Sequence, residues 1–155
     1  MPSAAAPTTR DVRVSAAIKA SPKRVYRALT SARELCLWWL ERAETDARSL
    51  GRVRMVWPEA LGWGEAEGVF VDLEPESKVA WLWGGRGVPR GVPRLVNVFI
   101  EPRPGGCGVT VVQAGFPADA DGRRAAFRAR WEDCLAKLAL YLEKGRARKA
   151  EILRL

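Results

Sequence analysis

Acidic side chains in strand-like stretches are the first candidates for chemistry, because general acid–base catalysis needs a titratable group whose pKa its surroundings can tune. Glu65, Glu67, Asp72 and Glu101 are such residues. Glu65 and Glu67 stand two apart, so on a strand they share a face and continue the row Val69, Val71, Leu73, ending at a pocket rim or at a solvated strand end. Asp72 falls on the other face and reads as exposed. Cys107, in the turn sequence GGCG with Arg103 nearby, is the cysteine whose setting could activate a thiol. Cys36 and Cys134 lie among helical apolar residues and read as small core residues. The chain has no histidine, which removes imidazole as base or metal ligand and with it the Ser-His-Asp and Cys-His schemes. Its three cysteines are widely spaced, so neither a disulfide framework nor a transition-metal site is expected. No residue is assigned a catalytic role, and no metal or cofactor is expected.

Recognition of an apolar molecule is the other chemistry on offer. Seven tryptophans in 155 residues supply large, rigid stacking surfaces. Alternation places Val53, Met55 and Trp57 in one inward row, Val79, Trp81 and Trp83 in a second, Leu95, Asn97 and Phe99 in a third, and Val109, Val111 and Gln113 in a fourth. Two of these rows carry a single uncharged amide, Asn97 and Gln113, the kind of isolated polar group that orients a ligand in an apolar pocket. A one-residue slip of either strand would send its amide to solvent. The expected ligand-binding set is Trp39, Met55, Trp57, Trp81, Trp83, Asn97, Phe99, Gln113, Phe127 and Trp131.

The elements that position these residues follow from periodicity. Residues 1–10 are small, polar and Pro-containing and are expected to be a disordered tail, with one domain over 11–145 and a basic tail over 146–155. Val12, Val14, Ala16 and Ile18 alternate with polar residues, as a half-buried strand does. Ser21-Pro22 supplies an N-cap and a first-turn proline for a short helix carrying Val25, Tyr26 and Leu29. Thr30 or Ser31 caps a second short helix with Leu35, Trp38 and Trp39. Strands follow around 53–57, 69–73, 79–83, 95–101 and 109–114, with residues 84–93 a loop of four Gly and two Pro. Phe127, Trp131, Leu135, Leu138 and Leu142 then define one face of a helix of some 20 residues that begins near Asp119 or Asp121 and stops at Gly145. One amphipathic helix over a six-stranded antiparallel sheet gives an α+β, helix-grip architecture, in which the curling sheet leaves an enclosed volume.

Lys and Arg number 26 against 18 Asp and Glu, a net charge of +8, which favours acidic partners or reflects an Arg-rich composition. The densest basic run, KGRARK at 144–149, is short and reads as a solvated tail, so nucleic acid is not expected. The start of the chain, MPSAAAPTTR, lacks the apolar stretch of a secretory signal, and no apolar run is long enough to span a membrane. The cysteine usage suits a reducing cytoplasm.

Four segments carry a family resemblance: IKASPKRVYRALTSARELCLWW (18–39), GVFVDLEPESKVAWLW (68–83), GGCGVTVVQAGFP (105–117) and RWEDCLAKLALYLEKG (130–145). In order and spacing they resemble the START-like superfamily, in its bacterial branch named for homology to the heat-shock-protein-90 ATPase activator. The resemblance covers about residues 11–144 and implies a helix-grip fold with a pocket between sheet and helix. It does not imply one function, since such proteins include lipid and hormone binders, polyketide cyclases, chaperone regulators and self-resistance proteins. Many relatives carry a His where this chain has Gln113, and a neutral amide cannot titrate.

The function expected from these features is binding of a hydrophobic, aromatic or polyketide-like small molecule in an internal pocket, with sequestration or resistance as its use, by a monomer or homodimer. Two alternatives stay open: a polyketide cyclase-like enzyme, and a chaperone-type protein-interaction module.

Overall fold

The computed structural model describes residues 9–84, 86 and 88–154. The expected tail therefore lies outside the described residues over 1–8, as do Gly85 and Gly87 of the glycine-rich loop. Thr9 and Arg10 already belong to the first strand.

The chain runs β1 (Thr9–Ile18), α1 (Pro22–Thr30), α2 (Ala32–Trp38), β2 (Arg42–Thr45), β3 (Arg52–Val56), a single 3-10 turn (Glu59–Leu61), β4 (Glu65–Glu74), β5 (Lys78–Trp83), β6 (Leu95–Arg103), β7 (Gly106–Pro117) and α3 (Asp121–Lys144). The sheet is antiparallel with order β1-β7-β6-β5-β4-β3-β2, so it has seven strands where the sequence predicts six. The additional strand is β2, with the sequence RAET, paired only to β3. Its four residues sit at the sheet edge with no buried face, so no apolar alternation marks them.

Local chemistry sets the helix boundaries. Ser21 Oγ accepts the Arg24 backbone N–H at 3.2 Å and Pro22 occupies the first turn of α1. Ser31 caps α2 in the same way, its Oγ accepting from Glu34 N at 3.3 Å. Gly145 ends α3 in the left-handed conformation at φ 63°, which glycine adopts without strain. In β4, a Cβ at Gly68 would run into the Leu82 carbonyl oxygen of β5, so only glycine permits this close crossing.

The sheet buries its concave face against α3. Val12, Val14 and Ile18 of β1, Val53 and Met55 of β3, Val79, Trp81 and Trp83 of β5, and Val109 and Val111 of β7 face the core, as alternation predicts. Two strands depart from that reading. In β6 the inward row is Val96, Val98 and Ile100, because Trp81 pairs with Val96 and Val79 with Val98. Leu95 and Phe99 are exposed and Asn97 shares their convex face. The run LVNVFI is apolar at both parities, so alternation could not choose between its faces. In β4 the buried residues are Ala66 and Phe70, and a bulge between Phe70 and Asp72 breaks the expected Val69, Val71, Leu73 row.

On α3, Phe127, Trp131, Leu135, Leu138 and Leu142 are buried as the spacing predicts. Asp133 and Lys137 are also fully buried. Their charged groups lie 2.8 Å apart, contacting through charge rather than along a hydrogen-bond axis. Each also holds the segment after α3: Asp133 Oδ1 accepts from Leu153 N at 2.7 Å, and Lys137 Nζ donates to Lys149 O at 3.0 Å. Lys149 in turn donates to the Cys36 and Leu40 carbonyls at 2.8 and 3.1 Å. Residues 144–148 of the basic run are exposed, as a solvated stretch is, while Lys149 and Leu153 tie the segment that follows to α2 and α3.

Candidate functional site

Six of the seven tryptophans form one continuous cluster between β3, β5, α2 and α3. Trp38 stacks on Trp39 at 5.4 Å, and Trp39 meets Trp57 edge-on at 5.6 Å and Trp131 at 6.1 Å. Trp83 stacks on Trp131 at 6.0 Å with planes 12° apart, while Trp57 and Trp81 meet Trp83 edge-on at 6.5 and 6.0 Å. Elements distant in sequence therefore deliver their rings to one place. Trp39, Trp57, Trp83, Phe127 and Trp131 border, with Trp63 and Arg130, a gap of only about 10 Å³, and a neighbouring gap at Trp63, Val88 and Pro89 measures about 20 Å³. Each is about the space of a single water. The predicted enclosed volume is filled by indole rings. Met55 and Trp81 are buried in the same core without bordering the gap.

Asn97 and Phe99, placed in the pocket by the sequence, lie instead on the convex face of the sheet. Lys78 Nζ sits 5.5 Å from the Phe99 ring centroid there, and Phe99 borders an open depression of about 500 Å³ with Arg13, Glu74, Lys78 and Glu101. Glu65 and Glu67 also face outward: Arg54 reaches Glu65 at 2.9 Å and Arg52 reaches Glu67 at 3.2 Å, which occupies both carboxylates in surface ion pairs. Cys107 lies in β7 and not in an open turn. It is buried, its Sγ is 3.4 Å from Ala20 O, and burial pushes its thiol up against the weaker opposing pull of Arg103. It is therefore a poor nucleophile.

Gln113 is inward, as the fourth row predicts, and completely buried. Its Oε1 accepts the Trp131 indole N–H at 2.8 Å and its Nε2 donates to Pro93 O at 2.8 Å. The amide clamps α3 and the loop before β6 to β7, with its oxygen and its nitrogen both committed, and it does not stand free to orient a ligand.

The donor inventory of the cluster is lopsided. Trp38 Nε1 donates to Ala28 O at 3.0 Å and Trp131 Nε1 to Gln113. The indole N–H groups of Trp39, Trp57, Trp81 and Trp83 are buried with no acceptor among the described residues. Buried donors almost always find partners, and each orphan costs about 1–3 kcal/mol.

Two residues outside the expected set complete the site. The half-buried Arg130 guanidinium lies 4.7 Å from the Trp63 and Phe127 ring centroids and 5.2 Å from Trp57. Burial lowers its pKa to about 10, opposed by the charge of Asp133. Trp63 stands at the mouth between Gly62 and Gly64, both left-handed at φ 70° and 69°, with no atom within 4 Å of where a Cβ would be. The triplet GWG was the legible signal for this arm. Arg130 left only a weaker one, a cation three residues after Phe127 and beside Trp131 on the helix.

No curated protein sequence matches this chain. The model of the family described as "Activator of Hsp90 ATPase homolog 1-like protein" matches residues 19–143. Among solved structures, the chain is similar to the Aha1 dimer from Colwellia psychrerythraea, at 21% identity and a TM-score of 0.76 over 89% of this chain and 99% of that one. It is similar to DynU16, a protein of the dynemicin biosynthetic locus, at 22% identity and 0.74, over 88% of this chain and 48% of that one. A third likeness is CalU16 from Micromonospora echinospora, at 18% identity and 0.68, over 88% and 78%. At these identities the structures share a fold. No helix among the described residues is long and apolar enough to cross a membrane.

Proposed function

The chain belongs to the Activator of Hsp90 ATPase homolog 1-like family, and from that premise we propose that it binds a planar apolar small molecule between the sheet and α3, in the space that Trp63 and Arg130 now cover. The observation that carries this reading is the set of four buried indole N–H groups without acceptors, three of them on rings that border the gap. A core selected for stability alone would pair such donors or replace the tryptophans with phenylalanine or leucine. Trp63 supplies the means of opening. Its flanking glycines can change backbone conformation at little strain, and its ring lies against the guanidinium rather than deep in the core. A planar ligand would take the place of that indole on the Trp57 and Phe127 side of Arg130. DynU16, a protein of the dynemicin biosynthetic locus, has the same fold.

Titration calorimetry of the full chain with planar polycyclic compounds tests the reading, with Trp63→Ala as the sensitised variant. Removing the occupying ring is expected to tighten binding about tenfold. If neither protein takes up any such compound, the reading fails.

A second reading rests on the convex face, where Leu82, Leu95 and Phe99 are each about two-fifths exposed on adjacent strands. That stripe suits contact with another protein surface, including a second copy of the chain. Sedimentation across a range of concentrations tests it, with Phe99→Ser expected to shift any association toward monomer.

A further inference from the structure

The seven side chains around the gap, those of Trp39, Trp57, Trp63, Trp83, Phe127, Arg130 and Trp131, contain donors and aromatic faces but no acceptor oxygen. Trp39, Trp57 and Trp83 each present a buried, unpartnered indole N–H. Arg130 adds a fork of guanidinium donors and a positive charge, with no carboxylate within 4.0 Å among the described residues. Asp133, its nearest acidic influence, is committed to Lys137 at 2.8 Å and to Leu153 N at 2.7 Å. The nearest acid at the mouth, Glu65, is taken by Arg54 at 2.9 Å. A half-buried cation held only by ring faces is an incomplete arrangement, because cation–π contacts replace lost hydration in part and leave the N–H groups unfilled.

We propose that the ligand of this site is a planar aromatic molecule carrying an anionic oxygen group, a carboxylate or an acidic phenolate, which pairs with Arg130 and accepts from the indole N–H groups around the gap. The inference rests on the reading of the tryptophan cluster as a binding site and adds the chemical class it takes. The lining decides between classes by what each would leave unsatisfied. A pure hydrocarbon would satisfy the rings and leave every donor orphaned. An ammonium compound would bring a like charge to Arg130. A carboxylate accepts two parallel guanidinium hydrogen bonds and has lone pairs to spare for indole donors, all in a dry setting where such bonds are strong. The +8 balance of the chain draws anions in the same direction.

The test compares three ligands with one ring system and different heads, 2-naphthoate, 2-methylnaphthalene and 2-naphthylmethylammonium, by calorimetry on the full chain. Naphthoate is expected to bind at least about tenfold tighter than methylnaphthalene, and the ammonium compound weakest. In Arg130→Met the ratio of naphthoate to methylnaphthalene affinity should fall toward about one, with Arg130→Lys in between because it keeps charge and loses the fork. Equal affinity for the three heads, or a ratio that survives Arg130→Met, overturns the anionic class while leaving the binding site standing. Binding of none of the three, in wild type and in Trp63→Ala, overturns both. Should the Met variant fail to fold, the head-group ranking in the wild type and the Lys variant decide the matter.

Discussion

Gln113 and Trp131 are joined by a 2.8 Å hydrogen bond from the indole N–H to the amide oxygen, fully buried between β7 and α3. This bond fixes the rotation of the ring on which Trp83 stacks, so one amide on the sheet sets the geometry of the aromatic floor. Gln113→Leu would leave the Trp131 N–H and the Pro93 carbonyl without partners. Urea unfolding should show a loss of about 2–4 kcal/mol, more than a ligand-orienting amide with no structural duty would give. A loss below about 0.5 kcal/mol would mean that water or a shifted ring replaces both bonds.

Trp131 itself touches Trp39, Trp81 and Trp83. Trp131→Ala removes the centre of the cluster, and large aromatic truncations in cores cost about 3–5 kcal/mol. Only a few tenths in a denaturant titration would contradict the packing described.

The buried Asp133–Lys137 pair should be unforgiving of single changes. Lys137→Met strands a carboxylate in the interior and is expected to cost about 3–5 kcal/mol at neutral pH. It also frees the Lys149 carbonyl, so hydrogen exchange at the Leu153 amide should accelerate as the tail lifts. Unchanged exchange at Leu153 would show that the tail is held by Lys149 and its α2 contacts alone.

The thiols give a pH dependence of defined sign. Burial pushes Cys134 well above its ordinary 9.0, helped by the charge of Asp133 and opposed by Lys137, and raises Cys107 less. The folded chain then keeps protons that the unfolded chain has lost. The stability tied to these groups is whole below the ordinary thiol range and falls as pH rises through it. The urea midpoint should drop between about pH 8 and about pH 10, and more shallowly in Cys134→Ala, whose stability is lower throughout. A flat wild-type profile would show that these thiols ionise as freely in the folded chain as in the unfolded one.

The helix boundaries were legible because serine caps, Pro22 and Gly145 act locally, and α3 because its apolar stripe has one period. Strand faces were legible where one parity is polar, as in β1, and illegible in LVNVFI, where only the β5 partner decides that Val96 and Val98 turn inward. The candidate site was half legible. Tryptophans announce an aromatic interior, but whether their rings line a space or fill it depends on three-dimensional volume, and alternation carries no volume. Arg130, Asp133 and Lys137 look like the solvated side of an amphipathic helix until Trp63 and the returning tail cover them.

Six indoles spaced 5.4 to 6.5 Å apart in a connected chain also make the protein an optical unit. At such separations their electronic transitions mix, and excitation absorbed by any one ring migrates across the others before emission. Steady-state emission will therefore come from the lowest-energy indole of the set rather than from an average of seven. The stacked Trp83 and Trp131 pair should add an exciton couplet to the ultraviolet dichroism. Helix content read from ellipticity alone will be distorted by that aromatic signal, and replacing either ring should change the spectrum even where the backbone does not move.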